Sequence, residues 1–266
     1  MIEQFPTGIL ARKAIAAGRW RKPTAGLAPG YVQANLVVLP EDVSQEFAAF
    51  CAANPKPCPL LHQLAAGDPH PAEKWAVDSD IRVDIPRYRL YRDGQFVSEY
   101  NDILQFWQQD LVGFLLGCSF TFEEVLLEAG IPVRHIECGC NVPMYKTNLL
   151  CKPIGRFSGP MVVSMRPIPE HLVEEAICVT TPFSAVHGAP IHIGHPAEIG
   201  IADIGQPDYG DPVPINSNEI PVFWACGVTP QAVAQAAKLP LMITHAPGHM
   251  YITDQLNKDL VEGHNV

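Results

Sequence analysis

Long apolar runs are missing from this 266-residue chain. The longest near-continuous one, Leu111 to Leu116, falls far short of the roughly 18 residues that a membrane span requires, so no membrane partner is expected. Basic charge is scarce as well. With 18 Lys and Arg against 28 Asp and Glu the net charge is −10, which repels phosphate backbones, and nucleic acid is not expected as a partner. Glu3 stands where a secretory leader carries basic residues, and no signal-type apolar stretch follows, which reads as a soluble, cytoplasmic protein. Also absent are a phosphate-binding loop, a Rossmann glycine signature, a nucleophile elbow and a kinase motif set. Nucleotide cofactors are therefore not indicated, and the expected cofactor content is none. Internal repeats are not evident.

What is present fits a folded globular chain. Its 47% hydrophobic content suffices for a conventional core in one large domain or two modest ones. The 26 prolines are roughly double the usual ~5% share and fix many loop positions, as a small-molecule site requires. Eight cysteines, at 51, 58, 118, 138, 140, 151, 178 and 226, are too scattered for a disulfide scaffold and read as reduced thiols.

Local signals divide the chain. A helix is expected over 9–17, with Thr7 as cap and Gly18 as stop, then a buried strand over 31–39 and a helix over 41–53 ended by Asn54-Pro55. Residues 55–61 form a rigid loop. Ile81, Val83 and Ile85 alternate with polar neighbours, and Asp93-Gly94 marks a hairpin turn. The segment 103–116 reads as a helix leading into a buried stretch. Thr121 and Glu124 have capping-box spacing for a helix over 122–129. Short strands are expected near 142–147 and 161–166, a helix over 170–177, and buried strands at 222–225 and 241–244. The resulting fold class is α/β: a larger three-layer α/β domain from 1–130 plus 190–266, and a smaller two-layer α+β domain inserted at 131–189.

One internal echo bears on mechanism. Cys118 and Cys226 are each followed after three residues by Thr (Thr121, Thr229) and after five by Glu123 or Gln231, and each precedes an expected helix start, with Thr229 as cap and Pro230 as first helical residue. Both thiols are expected where a parallel strand ends and a helix begins, the edge at which open α/β sheets bind ligands. A helix N-terminus lowers thiol pKa and holds carboxylates; the bland alternative is a small buried hydrophobe. His187, His192 and His195 crowd one Gly/Pro loop, and His245 and His249 another. Their spacing matches no standard zinc pattern, so general acid/base roles are preferred to metal, and the expected metal content is none. Cys138 and Cys140 beside His135 and Glu137 are a weak metal signal for the same reason. Arg82, Arg134 and Arg166 are candidate carboxylate grips.

Together the motifs Ala34 to Pro40, Asn54 to Pro59, Asp80 to Arg89, Leu115 to Phe120, Arg134 to Glu137, Asn141 to Tyr145, Gly159 to Pro167, Val186 to Pro190, Phe223 to Gln231 and Thr244 to His249 resemble the D-glutamate cyclase family over nearly the whole chain. His195, Cys138 and Cys140 depart from the family pattern. The resemblance implies a hydro-lyase that closes D-glutamate to 5-oxo-D-proline with loss of water. On this reading Cys118, Cys226, His187 and His245 are the catalytic candidates. Arg82, Arg134, Arg166, Asn141, His192, Thr229 and His249 are the substrate-binding candidates, and the partner is a small carboxylate, with homo-oligomerisation as a base-rate expectation. The alternatives are a cofactor-independent two-cysteine racemase or epimerase, and a non-catalytic protein that binds a carboxylate metabolite.

Overall fold

Thr7 caps the first helix as its position predicts, accepting from the Leu10 amide, in a computed structural model that describes residues 5–261. The elements in chain order are α1 (Gly8–Ala16), β1 (Tyr31–Pro40), α2 (Glu41–Ala53), β2 (Leu60–Gln63), β3 (Tyr88–Arg92), β4 (Gln95–Tyr100), β5 (Leu111–Gly117), α3 (Phe120–Glu128) and α4 (Arg134–Cys138). They continue with β6 (Met144–Leu150), β7 (Pro160–Pro169), α5 (Val173–Thr180), β8 (His192–Ile193), β9 (Glu219–Ala225), α6 (Val228–Ala236), β10 (Met242–His245) and β11 (Tyr251–Leu256). The fold is mixed α/β with two sheets.

The larger sheet runs β2-β5-β1-β10-β3-β4, with β11 also paired to β1, and the smaller runs β6-β7-β9-β8. Every strand pairing in both is antiparallel. The parallel edge expected beneath the two thiols is therefore replaced by antiparallel strands that each run into a helix. In β1, Val37 and Leu39 face a core shared with Val43, Phe47 and Phe50 of α2, while Leu36 and Val38 face Ile81, Ile85, Tyr88 and Ile103. Helices cover the first face, and the second carries mostly irregular chain. The smaller sheet takes β8 and β9 from beyond residue 189, where the sequence reading returns to the larger domain, because β9 lies beside β7 from Val163↔Ala225 to Pro169↔Glu219.

The two units exchange helices. After β5 leaves the larger sheet, Phe122 and Leu126 of α3 pack with α5 and with Ile168, Val222 and Trp224 of the smaller one. After β9 leaves the smaller sheet, Val233 and Ala234 of α6 pack on the larger sheet with α2. Glycine is required at both corners: a Cβ on Gly117 would stand 2.5 Å from the Ala185 carbonyl oxygen, and one on Gly227 would stand 1.9 Å from Asn35 Nδ2.

Several local expectations are corrected. The alternation at 81–85 lies in a run of turns, because the Asp80 carbonyl accepts from Val83 and Asp84 and the Asp84 carboxylate accepts from Ser79 and the Asp80 amide; the hairpin strands are β3 and β4 around Asp93-Gly94. The helix expected in 103–116 is a short turn followed by β5, a fully buried strand flanked by β1 and β2. Thr121 does not cap α3; its hydroxyl exchanges hydrogen bonds with the Gln33 backbone of β1. Thr229 lies within α6, its hydroxyl bonded to the backbone of Val162.

The fold's N-terminal tie is ionic. Arg12 on α1 is buried and donates to Asp254 and to the carbonyls of Ile252 and Val77. Arg12→Met strands the partly buried carboxylate and should cost about 3 kcal/mol in urea unfolding, with part recovered in the double variant Arg12→Met/Asp254→Leu. A double variant no more stable than the single one would show that the carboxylate's burial is not the cause.

Candidate active site

One cleft lies at the crossing of the two units. It is lined by Asn35, Cys118, Ser119, Phe120, Asn141, Val142, Met144, Cys226, Gly227, Val228, His245, Pro247, Gly248 and Met250, with about 330 Å³ of empty space counted to its open mouth. Of the expected residues, Cys118, Cys226, His245 and Asn141 meet here.

The walls are two matching corners. Cys118 follows β5 and precedes α3, and its sulfur accepts from the Phe120 amide at 3.5 Å. Cys226 follows β9 and precedes α6 in the same relation to the Val228 amide. The first residues of both helices thus line the cleft at the positive ends of their dipoles, which favour an anion, although the Phe120 and Val228 amides are on the thiol sulfurs and the Thr121 and Thr229 amides on the Cys118 and Cys226 carbonyls. Burial nevertheless raises both thiols: Cys226 to about 11, and Cys118 further, with the neighbouring Cys226 adding to the rise. Both are protonated at neutral pH, so each can donate a proton.

The floor comes from the central strands. Asn35 of β1 donates to the Gly117 carbonyl at 2.6 Å, locking the β5 corner. His245 of β10 engages the Leu36 backbone through Nδ1, and Gln231 of α6 donates to its carbonyl. That leaves Nε2 for chemistry. Burial lowers the imidazole to about 4 despite the Leu36 contact, so it is neutral at pH 7. At the rim, the Asn141 side-chain Oδ1 accepts from the Val142 amide, and the same side chain packs against Gly248, whose φ is +78°.

Behind Cys118 lies a buried ionic cluster. Arg166 of β7 is 0% exposed, donates to Glu123 of α3, to Ser119 Oγ and to Ser164 Oγ, and lies 5.3 and 5.4 Å from the Phe122 and Trp224 ring centres. His135 Nε2 stands 3.1 Å from the same carboxylate. Burial alone would raise Glu123, but the charges of His135 and Arg166 outweigh it and hold the carboxyl at about 2. Arg166 acts through this cluster and does not line the cleft.

The other expected residues lie elsewhere. Arg82 pairs with Asp80, and Arg134 with Glu137 and Glu219. His192 bonds the His195 carbonyl and packs on Phe223, Thr229 is tied to Val162, and His249 bonds the Pro247 carbonyl beside the cleft. His187 borders a separate groove, its Nδ1 on the Lys56 carbonyl at 2.9 Å. Among the described residues no group of three or more His, Cys, Asp and Glu side chains is placed to hold a metal ion. Sequence reasoning noted Glu123 and Gln231 in the echo after the thiols and His135 beside Cys138 and Cys140 without giving them a place in the site, and it missed Asn35. Asn35, one of two buried amides with Gln33 among the apolar residues of β1, carried a visible signal.

With this geometry in view, the comparisons with known proteins are specific. Residues 112–254 match the model of the D-glutamate cyclase family. A "Putative hydro-lyase" of Geobacillus kaustophilus is 60% identical over 94% of this chain and 95% of its own, and one of Bradyrhizobium sp. is 60% identical over 89% and 87%. A third, of Bordetella pertussis, is 58% identical over 95% and 91%. The chain belongs to the D-glutamate cyclase family. A nitrogen repressor-like protein of Methanococcus jannaschii covers 94% of this chain at 9% identity with a TM-score of 0.38, too slight a likeness to carry any argument. No helix among the described residues is long and apolar enough to cross a membrane.

Burial likewise lowers His187 to about 4, against an ordinary 6.5. The unfolded chain therefore binds protons below pH 6.5 that the folded protein refuses until about pH 4. Stability contributed by neutral His187 and His245 is complete above pH 6.5 and lost as pH falls towards 4, on the order of 3 kcal/mol for each. Calorimetry from pH 7 to 4 should show a falling midpoint, and His187→Gln should flatten that dependence. An unchanged slope in the variant would mean His187 does not titrate in this window.

Proposed function

We propose that the protein is a hydro-lyase that closes a small amino dicarboxylate, D-glutamate, to 5-oxo-D-proline and water. The observation that carries this reading is the convergence of two thiol-fronted helix N-termini on one cleft floored by neutral His245, in a chain of the D-glutamate cyclase family. On this reading the γ-carboxyl sits at the helix ends, and the rest of the substrate extends toward the open mouth of the cleft.

Closure forms the bond from the α-nitrogen to the γ-carbon and breaks one C–O bond. Two of the three ammonium protons leave in the water. Neutral His245 takes the first proton and frees the amine lone pair. As nitrogen attacks, charge grows on the carboxyl oxygens, where the helix amides stabilise it. A protonated thiol then donates to the departing oxygen, and the proton held on His245, with the second one lost from nitrogen, restores the thiol and completes the water. Because amine and carboxyl belong to one molecule, holding them at attack distance supplies part of the acceleration.

A second reading is supported by the presence of both thiols in the lining of one cleft. One thiolate and one thiol on opposite faces of an α-carbon would exchange its proton, as a racemase does.

The test incubates the protein with D- and L-glutamate separately, with and without chelator, and resolves glutamate and 5-oxoproline by chiral chromatography. Enzyme-dependent 5-oxo-D-proline that survives chelation is expected. Cys118→Ser, Cys226→Ser and His245→Gln should each lower kcat by roughly 100-fold or more, the scale of a lost general acid or base. If neither isomer is consumed, the cyclase reading fails; α-deuterium uptake from heavy water without lactam would select the two-thiol reading instead.

A further inference from the structure

The groove bordered by His187 is larger than the thiol cleft, about 1070 Å³ counted to solvent, and nothing in the proposed chemistry uses it. One wall is the loop from Pro55 through Lys56 and Pro59 to Leu60; the other is Thr181, Ser184, Ala185, His187, Gly188 and Ala189. The first wall is stiff. Three prolines fix its backbone, Cys58 N–H donates to the Asn54 carbonyl, and the Asn54 side chain bonds the carbonyls of Phe50 and Lys152. Lys56 is half-buried on this loop, and no carboxylate among the described residues lies within ion-pair distance of it. Burial lowers its pKa with no compensating anion.

The opposite wall is strained. His187 has φ +89°, a conformation that a side chain of this size adopts at a cost, and it is 1% exposed. Its Nδ1 donates to the Lys56 carbonyl and its ring lies against the Gly117 backbone, so the buried imidazole ties the first wall to Gly117. Both walls also close on Gly117 directly. The Gly117 amide donates to the Pro59 carbonyl at 2.8 Å, and Ala185 and Val186 press on its Cα so closely that a Cβ there would meet them at 2.5 and 2.9 Å. The next residue is Cys118.

We propose that this groove is a second small-molecule site, which takes an oxyanion on the Lys56 ammonium, and that its occupancy is transmitted through Gly117 to the Cys118 corner of the thiol cleft. Carboxylate and phosphate share the recognising chemistry: a rigidly presented cation without a protein counter-ion, in a groove wide enough for a metabolite. Transmission needs no long path. A ligand that shifts either wall by a few tenths of an ångström moves the backbone of Gly117, because no free space separates them. The coupling is reciprocal, so a ligand in the cleft alters affinity at the groove.

The test reads binding and coupling without turnover. Acetate and inorganic phosphate are titrated separately into ¹⁵N-labelled full-length protein, and into Lys56→Met and Lys152→Met variants, the latter removing an exposed lysine whose backbone abuts the same loop. Saturable shifts are expected at residues 184–188 and, with the same isotherm, at the Gly117 and Cys118 amides. Lys56→Met should weaken that isotherm at least about tenfold, while Lys152→Met leaves it within about twofold. Tighter binding of one probe identifies the ligand class as carboxylate or phosphate. The site is overturned if neither probe saturates, or if Lys56→Met binds as wild type does. Shifts at 184–188 without any at Gly117 overturn the transmission, and Gly117 shifts that persist in Lys56→Met report anion binding in the thiol cleft instead.

Discussion

The structure depends on two corners at which a strand leaves one sheet and the helix that follows packs on the other unit. Gly117 and Gly227 allow it, because backbone and side-chain atoms occupy the space where their Cβ atoms would lie. Neither unit is complete alone: α3 fills the core beneath the smaller sheet, and α6 fills the core above the larger one. The cleft is a geometric consequence of that exchange. Two helices that cross between units must begin near the same place, and the positive ends of their dipoles then converge.

That convergence explains how the proposed anion site arises without a cation in its lining. The candidate arginines are engaged elsewhere, Arg82 and Arg134 with neighbouring carboxylates and Arg166 within the protein behind α3. Two sets of N-terminal amides supply the positive potential, and they are fixed in place before any substrate arrives. The surrounding groups are neutral by burial: two thiols raised well above the solution range and an imidazole held near 4. Neutral donors and acceptors beside fixed dipoles suit proton transfer within a bound molecule, because no side-chain charge must be desolvated before reaction.

Signals carried by neighbours in sequence were legible. The α2 limits, the Asp93-Gly94 turn, and the thiol-then-helix corners followed from proline, turn and spacing rules. The rest depended on partners far along the chain. Thr121 reads as part of a capping box, yet its hydroxyl meets Gln33 across the β1 edge; Thr229 reads as a cap and is taken by Val162. Leu111 to Leu116 carries no period-2 signal because β5 is buried on both faces. Strand direction has no local signature, and the antiparallel order was invisible for that reason. Cys118, Cys226, His245 and Asn141 share a cleft, as their motifs suggested, whereas the arginines and the 187–195 histidines were grouped by residue type and not by any spacing that brings them together.

The buried Arg166, Glu123 and His135 cluster follows from the same exchange of helices. A buried ion pair seldom stabilises a fold more than apolar packing of equal volume, so its value here is sought in direction. Apolar contacts of Phe122 and Leu126 would hold α3 against the smaller sheet through a range of rotations and slides. The Arg166 guanidinium removes that freedom, because it bonds Glu123 one turn into α3 and Ser119 at its start while Ser164 fixes its own position on β7. Ser119 is the residue after Cys118. A charge pair that contributes little net energy can thus set where the thiol and the first amides of α3 stand, and Glu123 stays ionised to about pH 2 so that this registration persists wherever the protein is folded.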